Sequence, residues 1–499
     1  MSLFTVVFAV FDTVLDLLAG LRYLLIAKTA GGPVLLVASE ADSAVTSFSL
    51  STPTAPSLVS IVGYSASSGT GTLSALESYT EGGVTYGLTL GRYDNGVGRY
   101  SVSSSGALGF VEEQTGGIGE FSQVWAADSL EVAGTRYVVS SSFGMSGFRV
   151  LEVGTGGALS LVGSYADGAG QFLGDVSAIE TAVLHGQAFV FAGSTFDAGF
   201  HSYKISGTGA LTPTAVMDPS QGTPFNGLSD LEAVQIGPRA FVVVGASTTS
   251  SLSVFRVSDG GALKEVEHVF DNEATRLAGL TAVEVFQEGG RTFVVAGGAE
   301  DGISLFEMSY NGQLRWLETR ADSTTTSLDG ISDIEVLVGT GEAQIYVSSV
   351  SEHGFTGITV DTTRSGQVIE GGAVQDVLTG TAGDDVLWGY GKGDTLFGEG
   401  GNDRLVDGRG RDTLYGGAGA DIFEFVKDGR TDWIKDFQLG LDRIDLSGIE
   451  GLSHISNLTI ESRGTGAVIF AAGETIRLEQ PGGGPIDVSL LDKDDFIFG

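Results

Sequence analysis

Between Gly380 and Glu424 the chain repeats every nine residues without a slip. Asp385, Asp394, Asp403, Asp412 and Asp421 mark the period, and two residues after each stands an apolar side chain: Leu387, Leu396, Leu405, Leu414 or Phe423. A glycine-rich stretch precedes each aspartate, as in Gly416-Gly417-Ala418-Gly419-Ala420-Asp421. Glycine permits positive φ and leaves backbone carbonyls uncovered, so the stretch makes a tight turn that aims several oxygens inward. The residues after the aspartate form a three-residue strand whose middle side chain enters a narrow core. Nine residues thus make one turn and one strand, and two repeats complete a coil. Asp385, Asp403 and Asp421 should stack on one edge, Asp394 and Asp412 on the other. A glycine-rich acidic linker would not keep five aspartates and five apolar residues in phase.

Each turn gathers a carboxylate and several carbonyls, the hard oxygen donors that calcium takes six to eight at a time. The pattern G-G-x-G-x-D-x-U-x resembles the RTX, or haemolysin-type, calcium-binding family. That resemblance implies a parallel β-roll with calcium between stacked turns, held by the aspartates and turn carbonyls. The candidate ligands are Asp385, Asp394, Asp403, Asp412 and Asp421, with the turns at Gly383, Gly391, Gly400, Gly401, Gly408, Gly410, Gly417 and Gly419. Two departures stand out: Lys392 replaces a fourth-position glycine, and Asp407 replaces a first-position one. A cation at Lys392 would oppose calcium at its turn.

The rest of the composition suits that reading. The chain has 499 residues, 42% of them hydrophobic, and a net charge of −36. So acidic a protein is repelled by nucleic acid and by anionic membranes. With no cysteine, disulfides, thiol catalysis and thiolate metal sites are excluded. The first 21 residues are apolar but lack an early Lys or Arg and a clear cleavage site, so neither a secretory signal peptide nor a membrane span is expected there. The spacing of Phe4, Phe8, Phe11, Val14, Leu15 and Leu18 predicts an amphipathic helix within residues 1–20. The ending Leu491-Asp492-Lys493-Asp494-Asp495-Phe496-Ile497-Phe498-Gly499 looks like the C-terminal export signal of type I secretion substrates. The run from Asp432 to Ser447 is similar to the segment after the repeats in serralysin-type C-terminal domains, and should close the roll.

A second period lies upstream. Gly106-Ala107-Leu108, Gly157-Ala158-Leu159, Gly209-Ala210-Leu211, Gly261-Ala262-Leu263, Gly312-Gln313-Leu314 and Gly366-Gln367-Val368 recur at spacings of 51, 52, 52, 51 and 54. Within the units run strands such as Phe241-Val242-Val243-Val244. Seven units of about fifty residues, with four short strands each, predict a seven-bladed β-propeller, because no blade can bury both faces alone. The unit pattern resembles lactonase-like propellers. The expected fold is therefore all-β: a seven-bladed β-propeller over 21–372, then a parallel β-roll of calcium-binding nonapeptide repeats over 373–435, then a capping and type I secretion signal region over 436–499.

Six of the seven units also carry an acidic residue near the opening strand: Glu77, Glu131, Glu180, Glu232, Glu284 and Glu335. If these line the axis, converging carboxylates demand a cation or protonation. The alternative is that each bonds the backbone of a neighbouring blade. The five histidines are scattered, and no H-E-x-x-H, G-x-S-x-G or P-loop occurs. The resulting expectation is a secreted Ca2+-binding protein whose roll folds on calcium outside the cell. Its propeller would bind a glycan, a protein surface or another copy. The alternative is a propeller hydrolase of the lactonase or phosphoesterase type with a metal near the axis.

Overall fold

The computed structural model describes residues 3–11, 18–42, 44–63, 73–91, 96–115, 124–144, 146–167, 173–196, 199–218, 225–272, 274–362, 365–449 and 451–498. Among them the protein is all-β, with helix confined to 3-10 turns such as Ile455–Asn457. It divides into two compact units, Met1–Phe286 with Thr292–Val360, and Gln287–Arg291 with Asp361–Gly499.

The first unit is a seven-bladed propeller of seven four-stranded antiparallel sheets. Six blades are simple meanders, as in Leu228–Ile236, Arg239–Ala246, Ser251–Val257 and Leu263–Phe270. The first strands meet around the axis; Leu21–Thr29 packs against both Leu73–Glu81 and Ile331–Val338, which closes the ring. Second strands are buried on both faces, which explains their unbroken apolar runs. In Arg239–Ala246, Val242 and Val244 pack with Phe189 and Phe191 of the preceding blade. Phe241 and Val243, on the opposite face, pack with Leu280 and Val294 of the following blade. The strand period of two thus welds one blade to both neighbours.

The seventh blade departs from expectation. Its fourth strand is Phe4–Phe11, paired antiparallel with Gly354–Asp361 from Phe4↔Val360 to Phe11↔Gly354. The expected N-terminal helix is therefore a strand; Val14 and Leu15 lie outside the described residues. Phe-Thr-Val-Val-Phe-Ala-Val-Phe is rich in β-branched and aromatic residues that suit a pleated surface. Phe8 sits edge-on to Phe355 at 5.9 Å, in space that Gly357 keeps open. Because the N-terminus supplies this strand, the triplet Gly366-Gln367-Val368 is released from the blade. It lies in Ser365–Glu370, which pairs in parallel with Asp384–Trp388 and belongs to the second unit.

That unit is a roll of two sheets. One runs Ser365–Glu370, Asp384–Trp388, Arg404–Val406, Ile422–Glu424, Arg443–Asp445, Phe496–Ile497, all parallel. The other stacks Val377–Thr379, Thr395–Phe397, Thr413–Tyr415, Thr431–Ile434 and Glu474–Leu478 in parallel, and adds an antiparallel edge of Gly466–Ala471 and Thr459–Arg463. Leu387 pairs with Leu405 and Leu405 with Phe423, so the apolar position of every second repeat coincides. Leu378, Leu387, Leu396, Leu405, Leu414, Phe423, Ile434 and Ile444 form one buried column. The coil continues past the regular repeats, and Phe496 closes it beside Ile444.

Candidate metal centre

Two ladders of aspartates run along the edges of the roll. On one edge the Asp385 amide donates to Asp403 Oδ1 at 2.7 Å, Asp403 to Asp421 at 2.9 Å, and Asp421 to Asp442 at 3.0 Å. On the other, Asp376 donates to Asp394 at 2.8 Å, Asp394 to Asp412 at 2.6 Å, and Asp412 to Asp432 at 3.0 Å. All five aspartates named from the sequence lie on the two predicted edges. Asp376, Asp432 and Asp442 extend the ladders. Asp376 is in phase, nine residues before Asp385, but its turn has lost the fourth-position glycine; Asp432 and Asp442 follow longer coils.

Each ladder bond occupies Oδ1 of its acceptor; Oδ2 of Asp442 accepts from the Gln438 amide, but four of the others are left unpaired. Oδ2 of Asp394, Asp403, Asp412 and Asp421 is buried with no hydrogen-bond partner. Around it the turn is kept open: a Cβ on Gly398 would meet Asp403 Oδ2 at 2.3 Å and the Gly416 carbonyl at 2.5 Å. Burial drives the carboxyls upward, to about 8 for Asp403, about 7 for Asp412, Asp432 and Asp442, and about 6 for Asp421. Elsewhere in the same roll a cation is provided. Arg404 lies 2.5 Å from the buried Glu424 and 3.3 Å from the buried Asp445. The turn aspartates have no such arginine among the described residues. Uncompensated buried charge is costly, so this donor set fits a hard divalent cation.

The family described as RTX calcium-binding nonapeptide repeat (4 copies) matches residues 370–405 and 397–424. Residues 370–424 are RTX calcium-binding repeats. The chain is on that ground a calcium-binding protein, whose RTX repeats form the roll. No curated protein matches the chain. Among solved structures it is similar to a functionally unknown protein from Desulfotomaculum acetoxidans DSM 771, with TM-score 0.46 and 11% identity over 63% of this chain and 92% of that one. It is also similar to a protein from Lactobacillus plantarum, with TM-score 0.42 and 14% identity over 67% of this chain and 94% of that one.

The RTX glycines serve the stacking of coils. Gly408 and Gly417, at the second position of their turns, have φ of +86° and +94°. A Cβ on Gly408 would meet the Tyr390 carbonyl of the coil before it at 2.5 Å. Gly401, Gly410 and Gly419 likewise face the backbone of Gly383, Lys392 and Gly401. Gly391 and Gly400 make parallel bridges to Arg409 and Ala418. Lys392 holds φ of +85°, an αL-like conformation that costs a non-glycine residue about 1 kcal/mol or more.

The propeller's acidic residues have a different task. Glu131 is exposed and lies 3.4 Å from Arg136 of its own hairpin, so it does not belong to the axial set. Asp128 takes that place, fifty-one residues after Glu77 and fifty-two before Glu180. Asp128 Oδ2 accepts from the Thr181 amide at 2.6 Å and Glu180 Oε1 from the Ala233 amide at 3.2 Å. Asp230 accepts from Val283 at 2.8 Å, Asp333 from Leu24 at 2.7 Å, and Glu335 from Ile26. Glu77 accepts from Ser129 Oγ at 2.9 Å. Every donor belongs to the next blade. Inner strands of adjacent blades share no ladder, and these carboxylates satisfy amides that would otherwise be orphaned. Glu232 and Glu284 are the exceptions, with no hydrogen-bond partner among the described residues; burial, then repulsion from neighbouring carboxylates (Glu284 on Glu232, Glu335 on Glu284), pushes both well up. Glu77, Asp128, Asp230, Asp333 and Glu335 line an axial cavity of about 550 Å³.

Proposed function

We propose that the protein is a type I secretion substrate, exported unfolded and folded outside the cell by calcium. The roll is the switch and the propeller the module it delivers. The observation that carries this reading is the buried aspartate ladder with its unpartnered Oδ2 atoms. Without a cation these carboxylates repel, so the roll stays open in a low-calcium cytosol. Calcium binds only the folded coil, so ligation stabilises folding by mass action. Extracellular modules bind calcium at about 10⁻⁴–10⁻³ M, the range such a switch requires. Asp385, Asp394, Asp403, Asp412 and Asp421 supply the charged ligands, and the intervening turns supply carbonyls.

The propeller acts as a binding or surface-assembly platform for a glycan, a protein or a second copy. Its axial carboxylates support this over a metal hydrolase, because most of them are committed to amides of the next blade. Among the described residues no three acidic or histidine groups converge in the propeller. A calcium titration of the full chain, followed by circular dichroism and light scattering together, tests the reading. Gain of β structure in the millimolar range at constant mass is expected of a folding switch. A mass that climbs with calcium assigns the propeller to assembly, and no change in either signal overturns the proposal.

A further inference from the structure

Asp407 stands where the other four repeats carry Gly380, Gly389, Gly398 and Gly416. At each of those glycines a Cβ would meet Oδ2 of the aspartate five residues on, at 3.0 Å or closer. At 407 the Cβ is real and carries a carboxylate. It therefore enters the cradle that Asp412 Oδ2 faces by the same register, and that oxygen is buried without a partner. Asp432, one coil on, completes the group. Ligand oxygens of Asp407, Asp412 and Asp432 all lie within 4.8 Å of one another, and the three residues are 1%, 0% and 2% exposed.

The cluster is built. Asp407 Oδ1 accepts from the Gly408 amide at 2.5 Å and the Val426 amide at 2.9 Å, which fixes the extra side chain. Asp432 Oδ1 is fixed by the Asp412 amide at 3.0 Å. None of the three forms a salt bridge among the described residues; Arg411 acts on Asp432 only from beyond contact. No other group of three acidic or histidine side chains converges in this way among the described residues.

We propose that Asp407, Asp412 and Asp432 form a three-carboxylate calcium site, distinct from the two-carboxylate rungs of the roll, that fills first and most tightly. This rests on the calcium reading of the roll and adds an order of filling to it. Three formal charges oppose a dication where the other rungs offer two, and calcium affinity follows ligand charge count and rigidity. An all-oxygen site this buried favours calcium over magnesium, which gives up its waters reluctantly. The first ion would clamp the coil from Asp407 to Asp432 and template the rest.

The test is calorimetric calcium titration, against a competing chelator, of the full-length protein and of Asp407→Gly, which restores the repeat. Asp407→Asn, close in shape, serves if the glycine variant does not fold. The expected result is one step in the wild type about tenfold tighter than the others, lost in the variant while later steps and the calcium-bound circular dichroism remain. An unchanged first step, with calcium bound by both proteins, overturns this proposal and leaves the calcium reading intact. No calcium bound by either protein overturns both.

Discussion

Asp403 shows how one side chain can act in opposite directions in two states. Its Oδ1 receives the Asp385 amide while its Oδ2 has no partner, and burial raises its carboxyl to about 8. Asp403→Asn should therefore stabilise the calcium-free roll and weaken calcium binding by about tenfold. Paired melts in chelator and in calcium check the two signs. Arg404 works in one direction only. Removing it takes the facing cation from the buried Glu424 and Asp445, and Arg404→Ala should cost about 3–5 kcal/mol with or without calcium. In the propeller, Glu232→Gln and Glu284→Gln should raise the melting temperature at pH 8 by a few degrees and release no metal. A lower melting temperature accompanied by lost metal would restore the axial metal site. Residue-scale legibility followed phase. The nonapeptide aspartates were readable because each sits nine from the next. Glu131 misled because it is acidic and close to the right place, though its uneven spacings of 54 and 49 already pointed to Asp128.

Among elements, the strand Phe4–Phe11 was the least legible. Its residues are nearly all apolar, so helical spacing could be found in it as easily as alternation, and its partner Gly354–Asp361 lies at the far end of the propeller sequence. Its pairing is non-local, and a short apolar run carries no record of that. Deleting residues 1–11 should uncover the Gly354–Asp361 edge and cost roughly 3 kcal/mol or more from lost phenylalanine burial. Light scattering should then show self-association. The turns of the roll set its pH dependence. Asp421, Asp412, Asp432, Asp442 and Asp403 titrate at about 6 to about 8 when folded, against roughly 4 in an unfolded chain. The calcium-free fold thus binds protons that the unfolded chain does not. Its stability is full below about pH 4 and is lost as pH rises through 6 to 8. With calcium the trend reverses over the same window, because acid displaces the ion. Melts at pH 5 and pH 8, in chelator and in calcium, should cross.

On the scale of the whole molecule, two periods carry two kinds of cohesion. Blades of about fifty residues are held by apolar faces such as Phe241 and Val243, which need no ion. Coils of eighteen residues have a core one side chain wide, Leu387 on Leu405 on Phe423, and edges crowded with carboxylates. Both periods were visible in the chain because each repeat must solve the same packing problem. Where the coils lengthen after Asp421, the period dissolves although Ile434, Ile444 and Phe496 continue the column. The roll should therefore depend on calcium for its structure, and the propeller should not. Amide hydrogen exchange of the full chain, with and without calcium, measures this directly. In chelator, amides over 377–445 should exchange rapidly while strands such as Arg239–Ala246 stay protected, and calcium should protect the first set alone. Equal protection of 377–445 in chelator and in calcium would mean that the roll does not need calcium to fold.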